Sequence, residues 1–586
     1  MSKTPPLVGR EQELELLRAS LAQAREGHET RSLTVVGEAG IGKSRLISEF
    51  DDWLSGVAGD VETFRGRAHA SSQHVPFSLM RDVLAEHAGI HDSDPPDTVG
   101  EKLQQDVVAL LGDERAVTKT ELIARLLGFE IGEAEDLGGV DPQHLNESAR
   151  AFVQEYFRAA GTPAPAVLLC EDLHWADGAS LDMIPLVASL PDAAVLVVGS
   201  ARPSLLERRP EWGEGLRGHL IVELGPLTTQ AGEALLVESL GGDRSVPGQL
   251  RHVVLTTAEG NPFYIEELIK MLVEDGVVFQ AEGGWQLRDE DLAGLRVPPT
   301  LTGVLQARFD TLEPEERRCL QHGSVIGRVF WDKAVDSLTA AEGGSPAGQS
   351  TATAPILDQL RTREMVFRHD PSTFDDTEEY LFKHALLRDV TYSTLLKRQR
   401  RVYHGLAARW LEGVTGRARR EGEFSRVIAD HYLSADEPSK AADWYLRAGK
   451  VAAAQFANQA ALEAFARALD LRPDASPRWR AEVLLEREEV NELLGDRERQ
   501  RLDLDAAQAI ADEIGDGHLG ASVVSPHGLG TVLHRRGAGA TPCRARRPVR
   551  AAVQCAIGWP HSANELATSY LATGRPRIRQ RALNVS

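Results

Sequence analysis

With 586 residues, 42% of them hydrophobic and 26% charged, the chain has the composition of a globular protein long enough for three to five domains. Its net charge of −22 excludes a protein that coats nucleic acid along its whole length, and its four scattered cysteines (Cys170, Cys319, Cys543, Cys555) form no CxxC pair or metal-ligand spacing, which points to a reducing compartment. The opening MSKTPPLVGREQ lacks the apolar core of a signal peptide, and no apolar run reaches the ~18 residues of a membrane span, so a cytoplasmic location with no membrane partner is expected.

From Leu7 to Leu224, four continuous apolar runs are bounded by Gly, Pro or acids: SLTVVG (32–37), AVLLC (166–170), AVLVVG (194–199) and LIVEL (220–224). Such runs read as strands of a parallel sheet buried on both faces, with crossover helices between them. Residues 1–225 are therefore expected to form an α/β core, with a helical insertion at about 70–160. Residues 226–296 show helix spacing with glycine stops, as in TTQAGEALLVESLGG and NPFYIEELIKMLVEDGVV. Residues 297–395 mix helices with short β-like pieces such as EYLFKH, which suits a winged helical domain. Residues 396–518 are Ala- and Leu-rich helix. Ala461, Phe465, Ala468 and Pro473 fall at the offsets of a tetratricopeptide second helix, and Gly449 precedes Ala461 by twelve residues. Leu494, Gly495 and Ala507 repeat part of that spacing, so a solenoid with a concave surface is expected rather than a generic bundle.

The end of the chain, 519–586, differs. Residues 521–586 hold ten Arg, no Lys and one acid (Glu565), a net +9 that leaves −31 on the rest. One reading is a basic nucleic-acid arm. The other, favoured because the repeat array stops before completing a unit, is a disordered or frame-shifted tail, since a frame shift in a GC-rich gene yields Arg, Ala, Gly and Pro.

The chemistry is concentrated in a few motifs. Gly37-Glu-Ala-Gly-Ile-Gly-Lys-Ser44 matches GxxxxGK[ST], follows an apolar strand and leads into the helical run RLISEF. Gly37, Gly40 and Gly42 let the backbone turn its N–H groups toward a polyphosphate, and the following helix adds its positive end. Lys43 reaches the β- and γ-phosphates, and Ser44 supplies a hydroxyl to Mg²⁺. The acids Glu171 and Asp172, directly after AVLLC, are expected at the end of a strand neighbouring the P-loop strand, where they orient the hydration shell of Mg²⁺ and the attacking water. The first of these acids is usually Asp, and Glu171 stands there instead, so the division of labour between the two is open. Arg202, in the segment SARP after the next strand, is positioned to sense the γ-phosphate; a structural salt bridge is the competing reading. Gly260-Asn261-Pro262 opens a helix, which capping alone explains. His174, Trp175 and Asp177 follow the acids, and no catalytic role is assigned to His174.

Together LVGRE (7–11), GEAGIGKS, CEDLHWAD (170–177), SARP and GNPFYIEEL (260–268) resemble the signal-transduction ATPases with numerous domains (STAND), among the AAA-like P-loop proteins. LQARFDTLEPEERRCLQHGSVIGRVFW (305–331) and FKHALLRDVTYSTLLKRQRRVYH (382–404) look like the branch linked to adenylate and guanylate cyclases. The resemblance covers about residues 5–518. It implies an α/β P-loop NTPase core with a parallel sheet, a helical lid, a winged-helix-like domain and an α-helical tetratricopeptide-like solenoid. It also implies ATP or ADP with Mg²⁺ as ligands. Val8, Gly9 and Arg10 would then lie beside the adenine, Lys43 and Ser44 on the phosphates and Mg²⁺, Glu171 and Asp172 at the metal and water, and Pro262 on the base.

The implied activity is slow, regulatory ATP hydrolysis in a switch. ADP holds a closed monomer, and ATP with a protein or small-molecule ligand at the helical repeats opens it for homo-oligomerisation. No cyclase domain is expected before Leu7 and no helix-turn-helix output is readable at the far end, so the output is missing or supplied by a partner. The alternatives are a DNA-binding transcriptional regulator, the regulatory part of a split cyclase system, and a scaffold with a decayed ATPase. DNA is not the favoured partner, and the intact Lys43, Ser44 and acid pair argue against decay.

Overall fold

The computed structural model describes residues 7–515 apart from 57–60, 70–71, 92–93, 113–114, 132–141, 163, 243–245, 282–283, 289–297, 299, 344–352 and 419. The basic segment 519–586, read above as an arm or a frame-shifted tail, lies outside the described residues.

Five strands form one parallel sheet: β1 (Arg31–Val36), β2 (Glu62–Arg67), β3 (Ala166–Glu171), β4 (Val195–Ala201) and β5 (His219–Glu223), in the order β2-β3-β4-β1-β5. The central strands alternate apolar residues to both faces. Leu33, Val35, Val167, Leu169, Leu196 and Val198 pack under α1 (Glu11–Gly27) and α2 (Lys43–Gly56). On the opposite face, Leu168, Cys170, Val195 and Val197 meet α3 (Ser78–His87), α4 (Pro96–Leu111), α5 (Ala116–Leu127), α6 (Pro142–Ala160) and α7 (Gly178–Val187). Two-sided burial of this kind is what a parallel sheet covered by crossover helices requires. A short helix, α8 (Ser204–Arg208), follows β4.

The sheet corrects three expectations. The acid-bearing β3 does not neighbour the P-loop strand, because β4 lies between β1 and β3. Strand β2 was not anticipated. It is an edge strand in which only Phe64 and Gly66 are buried, so its sequence, ETFRGR, carries no apolar run. At the other edge, LIVEL is not buried on both faces: Leu220 and Ile221 are 40% and 44% exposed.

Beyond the sheet, α9 (Thr229–Ser239), α10 (Gly248–Ala258) and α11 (Pro262–Glu274) enclose a core of Leu236, Leu250, Val254, Ile265, Leu268 and Leu272, with the hairpin β6 (Val278–Ala281) and β7 (Gly284–Leu287) beside it. Next come α12 (Leu301–Asp310), α13 (Pro314–Ile326), β8 (Val329–Trp331), α14 (Asp332–Gly343), α15 (Thr353–Thr362), β9 (Val366–His369), β10 (Glu379–Phe382) and α16 (Ala385–Ser393). The three strands pair antiparallel in the order β8-β10-β9 against these helices, a winged arrangement.

The rest of the described residues are mostly helical: α17 (Lys397–Ala418), α18 (Glu421–Ser434), α19 (Pro438–Ala454), α20 (Asn458–Leu471), α21 (Pro477–Leu494) and α22 (Arg497–Ile514). Ala461, Phe465 and Ala468 are fully buried. A Cβ on Gly449 would stand 2.4 Å from Phe465, so the glycine is what lets α19 and α20 approach. The partial repeat at 494–507 is not equivalent. Gly495 caps α21 with φ 71° and Leu494 is 50% exposed, although Ala507 is buried. The array folds back on the core, where Arg81 in α3 pairs with Glu423 in α18 at 2.9 Å and Phe456 enters the core of the insertion.

Candidate functional site

The loop between β1 and α2 is shaped by its glycines. Gly40 and Gly42 have φ of 77° and 103°, where a side chain is strained. A Cβ on Gly40 would lie 2.8 Å from Cβ of Phe263, whereas one on Gly42 would meet only Pro262 Cγ, at 3.8 Å. The loop thus curls around an open side that Pro262 faces. Lys43 begins α2 and is buried; its Nζ donates to the carbonyls of Gly37 (2.7 Å) and Glu38 (2.8 Å). Burial pulls the Lys43 ammonium down to about 8 against the opposing charge of Asp172, and Arg202 lowers it further. Ser44, next in the helix, is exposed.

The segment Val8–Arg10 is pinned against this loop. Arg10 is buried and its Nη2 donates to Gly225 O (2.5 Å) and Ile41 O (3.3 Å), which ties the loop to the end of β5. Gly9 has φ 68° and passes so close to α9 that a Cβ would sit 2.5 Å from that of Ala231. Val8 packs on the three-helix core. From the other side, Asn261 Nδ2 donates to Ala39 O (3.2 Å) and Phe263 N–H to Gly40 O (3.2 Å), while Asn261 Oδ1 caps α11. The fold therefore gathers Val8, Gly9, Arg10 and Pro262 around the loop Gly37–Ser44.

Glu171 ends β3 and Asp172 follows with φ 58°; the Asp172 N–H donates to Ser200 Oγ of β4 at 3.1 Å. The two acids point to different partners. Glu171 stands opposite Arg67 in the β2–β3 register and accepts from its guanidinium at 2.5 Å. Glu171 lines a cavity of about 390 Å³ with Asp51, Arg65, Arg67, His69 and Glu379. Asp172 is the carboxylate that acts most strongly on Lys43, and its Oδ2 lies 3.6 Å from Arg328 and 3.9 Å from Arg67. Arg202 acts on the same Lys43, so Lys43, Asp172 and Arg202 share one electrostatic centre.

Sequence reasoning missed Arg67, His69, Arg328 and His384, and left His174 without a role. His174 is buried and packs on the ring of Trp175; burial, together with Arg202 and Lys43, takes its pKa down to about 4 despite Asp172. His384 lies with its ring centroid 3.7 Å from that of Phe263, at the junction of winged region and P-loop. Arg67 Nε, His69 Nδ1, both His174 ring nitrogens, Arg328 Nε and His384 Nε2 are buried without hydrogen-bond partners. Lys43 and the glycine cradle, where a Cβ on Gly40 would collide with Phe263, suit an acceptor-rich polyanion, and the Ser44 hydroxyl and Asp172 carboxylate suit a hard divalent cation. The residues present fit ATP or ADP with Mg²⁺.

Asp177 has a different task. Its Oδ1 accepts from Ser180 N–H (2.9 Å), capping α7, and from Phe77 N–H (2.8 Å), which holds Phe77 at φ 56°. Asp177→Ala is expected to destabilise the core by about 2–3 kcal/mol, the loss of a cap plus an orphaned buried N–H. A lowered midpoint in thermal unfolding checks this; an unchanged midpoint contradicts it.

Residues 6–198 match the family described as AAA ATPase domain, and residues 229–283 match a domain of unknown function, DUF8739. The first match bears out the recognition of an AAA-like P-loop ATPase domain over those residues. An uncharacterised protein of Rhizobium meliloti (strain 1021) is 23% identical over 506 residues, 82% of this chain and 44% of that protein; the chain thus spans less than half of that relative's length. Among solved structures, a STAND protein with a tetratricopeptide repeat sensor from Pyrococcus horikoshii aligns over 89% of this chain and 80% of its own, at 11% identity and TM-score 0.36. The Aeropyrum pernix ORC1 protein, solved in complex with DNA, aligns over 67% of this chain and 94% of its own, at 13% identity and TM-score 0.30. Among the described residues, no helix is long and apolar enough to cross a membrane.

Proposed function

We propose that this protein is a cytoplasmic regulatory switch that binds ATP with Mg²⁺, hydrolyses it slowly, and uses the helices from α17 onward to sense a protein or small-molecule ligand. The observation that carries this reading is the convergence of Lys43, Asp172 and Arg202 on a glycine loop against which the lid residues Asn261 and Phe263 also bond. Lys43 and Ser44 would hold the phosphates and the metal. Asp172 and Glu171 would orient metal-bound and attacking water, and Arg202 would sense the γ-phosphate. Val8, Gly9, Arg10 and Pro262 would border the base. The bound metal would neutralise charge on the transferring phosphoryl group.

The switch reading draws on the domain contacts. A nucleotide shifts such an equilibrium only through contacts that differ between its states. Here the winged region and the helical array both touch the core, through Arg328–Asp172 and Arg81–Glu423. Nucleotide-dependent assembly of several copies would follow from release of these contacts.

The test is the nucleotide carried by the purified, denatured protein, measured by chromatography. Stoichiometric ADP in the wild type and none in Lys43→Ala is the expected result. An empty wild-type site that binds ATP only transiently would remove the switch and leave a freely cycling ATPase.

A further inference from the structure

We propose that Arg328, carried by the winged region, is a positioning residue that restrains Asp172 and holds ATP hydrolysis off until that region withdraws. The proposal rests on the ATPase reading above and adds to it the residue through which the winged region acts on the site.

Arg328 immediately precedes β8, and its carbonyl accepts from Phe382 N–H of β10 at 3.0 Å. The guanidinium therefore travels with the antiparallel sheet and not with the core. Its Nη1 lies 3.6 Å from Asp172 Oδ2, with both side chains more than four-fifths buried. Asp172 cannot follow a retreating partner. Its backbone is fixed to β4 through Ser200, and the next two turns of chain are closed by Trp175 N–H on Asp172 O (2.7 Å) and Ala176 N–H on Leu173 O (3.0 Å). Contact between the two is thus made or broken by movement of the winged region as a body.

The surrounding charges explain why this contact restrains. Arg67 is already committed to Glu171 at 2.5 Å and stands 3.9 Å from Asp172, so Asp172 lies between two guanidinium groups. Those groups compete for the lone pairs with which Asp172 would hold a water. The pair is too buried to be screened away by salt as a surface ion pair is. His69, which feels both Arg328 and Arg67, contributes no compensating negative charge. Removing Arg328 leaves Asp172 attached to the core, with Arg67 at a longer distance and the Lys43 centre unchanged.

The experiment compares wild type, Arg328→Gln, Arg328→Lys and Lys43→Ala in steady-state ATP turnover with Mg²⁺. Amide hydrogen exchange is measured on the nucleotide-free proteins. Arg328→Gln is expected to raise kcat about fivefold or more, with KM changed by less than about twofold. In the nucleotide-free state it is expected to lose protection at the amide of Phe382, which bonds the Arg328 carbonyl, while the amides of Trp175 and Ala176, bonded within the core, keep theirs. Arg328→Lys, which keeps the charge, is expected to stay near wild type in both measurements. If Arg328→Gln does not fold, Arg328→Met, which keeps the packing of the stem, is read in its place.

A fall in kcat would overturn the proposal, because Arg328 would then be assisting the phosphoryl transfer. Unchanged kcat and unchanged protection would also overturn it. If no protein, wild type included, turns over ATP and Lys43→Ala makes no difference to nucleotide binding, it is the ATPase reading that fails. The exchange result then decides the Arg328–Asp172 contact on its own.

Discussion

Arg308→Ala is expected to cost the protein about 3–5 kcal/mol of stability, toward the lower end of that range. Arg308 in α12 and Glu267 in α11 form an ion pair whose side chains are each only 2% exposed. Arg308 also donates to Glu274 and to the Arg363 carbonyl, both at 2.9 Å, so one guanidinium joins the three-helix lid to two parts of the winged region. Removing it strands a carboxylate in the interior. Lys270 lies 3.3 Å from Glu267 and offsets part of that loss, but it is shared with Glu364 at 2.6 Å. The asymmetry of buried pairs supplies the control. Replacing both partners, as Arg308→Met with Glu267→Met, should cost clearly less than Arg308→Ala alone, because no charge is left unpaired. Urea unfolding followed at the first transition measures both. If the single and double variants are equally destabilised, packing of the arginine stem matters and the charge does not.

How much of this was legible beforehand depended on where the information sits along the chain. Strands β1, β3 and β4 announce themselves because both of their faces are covered, which forces uninterrupted apolar residues. Strand β2 was invisible for the opposite reason: as an edge, it needs only Phe64 and Gly66 inward and carries Arg65 and Arg67 outward. The order of the strands was misjudged because sequence proximity does not say which strand is inserted between two others. The glycine loop, Lys43 and Ser44 were legible because the motif is contiguous and the turn it makes is local.

The charges that surround the site were not legible. Arg67 lies 104 positions from Glu171 and meets it only through the β2–β3 register. Arg328 reaches Asp172 from a different structural unit, and a lone arginine in GRVF has no periodic or spacing signal. The solenoid shows the same limit. Gly449 is recognisable because it permits a helix crossing, but the same spacing at Gly495 produces only a helix cap.

These contacts also resolve the open question of the two acids into an expected result. Asp172→Asn should lower ATP turnover by about 100-fold or more while leaving nucleotide bound, whereas Glu171→Gln should cost about tenfold or less. The reason is position relative to Lys43. Asp172 is the carboxylate that acts on the Lys43 ammonium, in company with Arg202, and therefore lies at the phosphate end of the loop. Glu171 is turned toward Arg67 and the charged cavity with Asp51 and Arg65, where its charge is already matched. An amide at 171 can still accept from Arg67, while an amide at 172 removes the carboxylate that acts most strongly on the lysine. Single-turnover hydrolysis with a parallel binding measurement separates the step from the affinity. A larger loss for Glu171→Gln than for Asp172→Asn would reverse the assignment and make the Arg67 pair, rather than the Lys43 centre, the place where the attacking water is held.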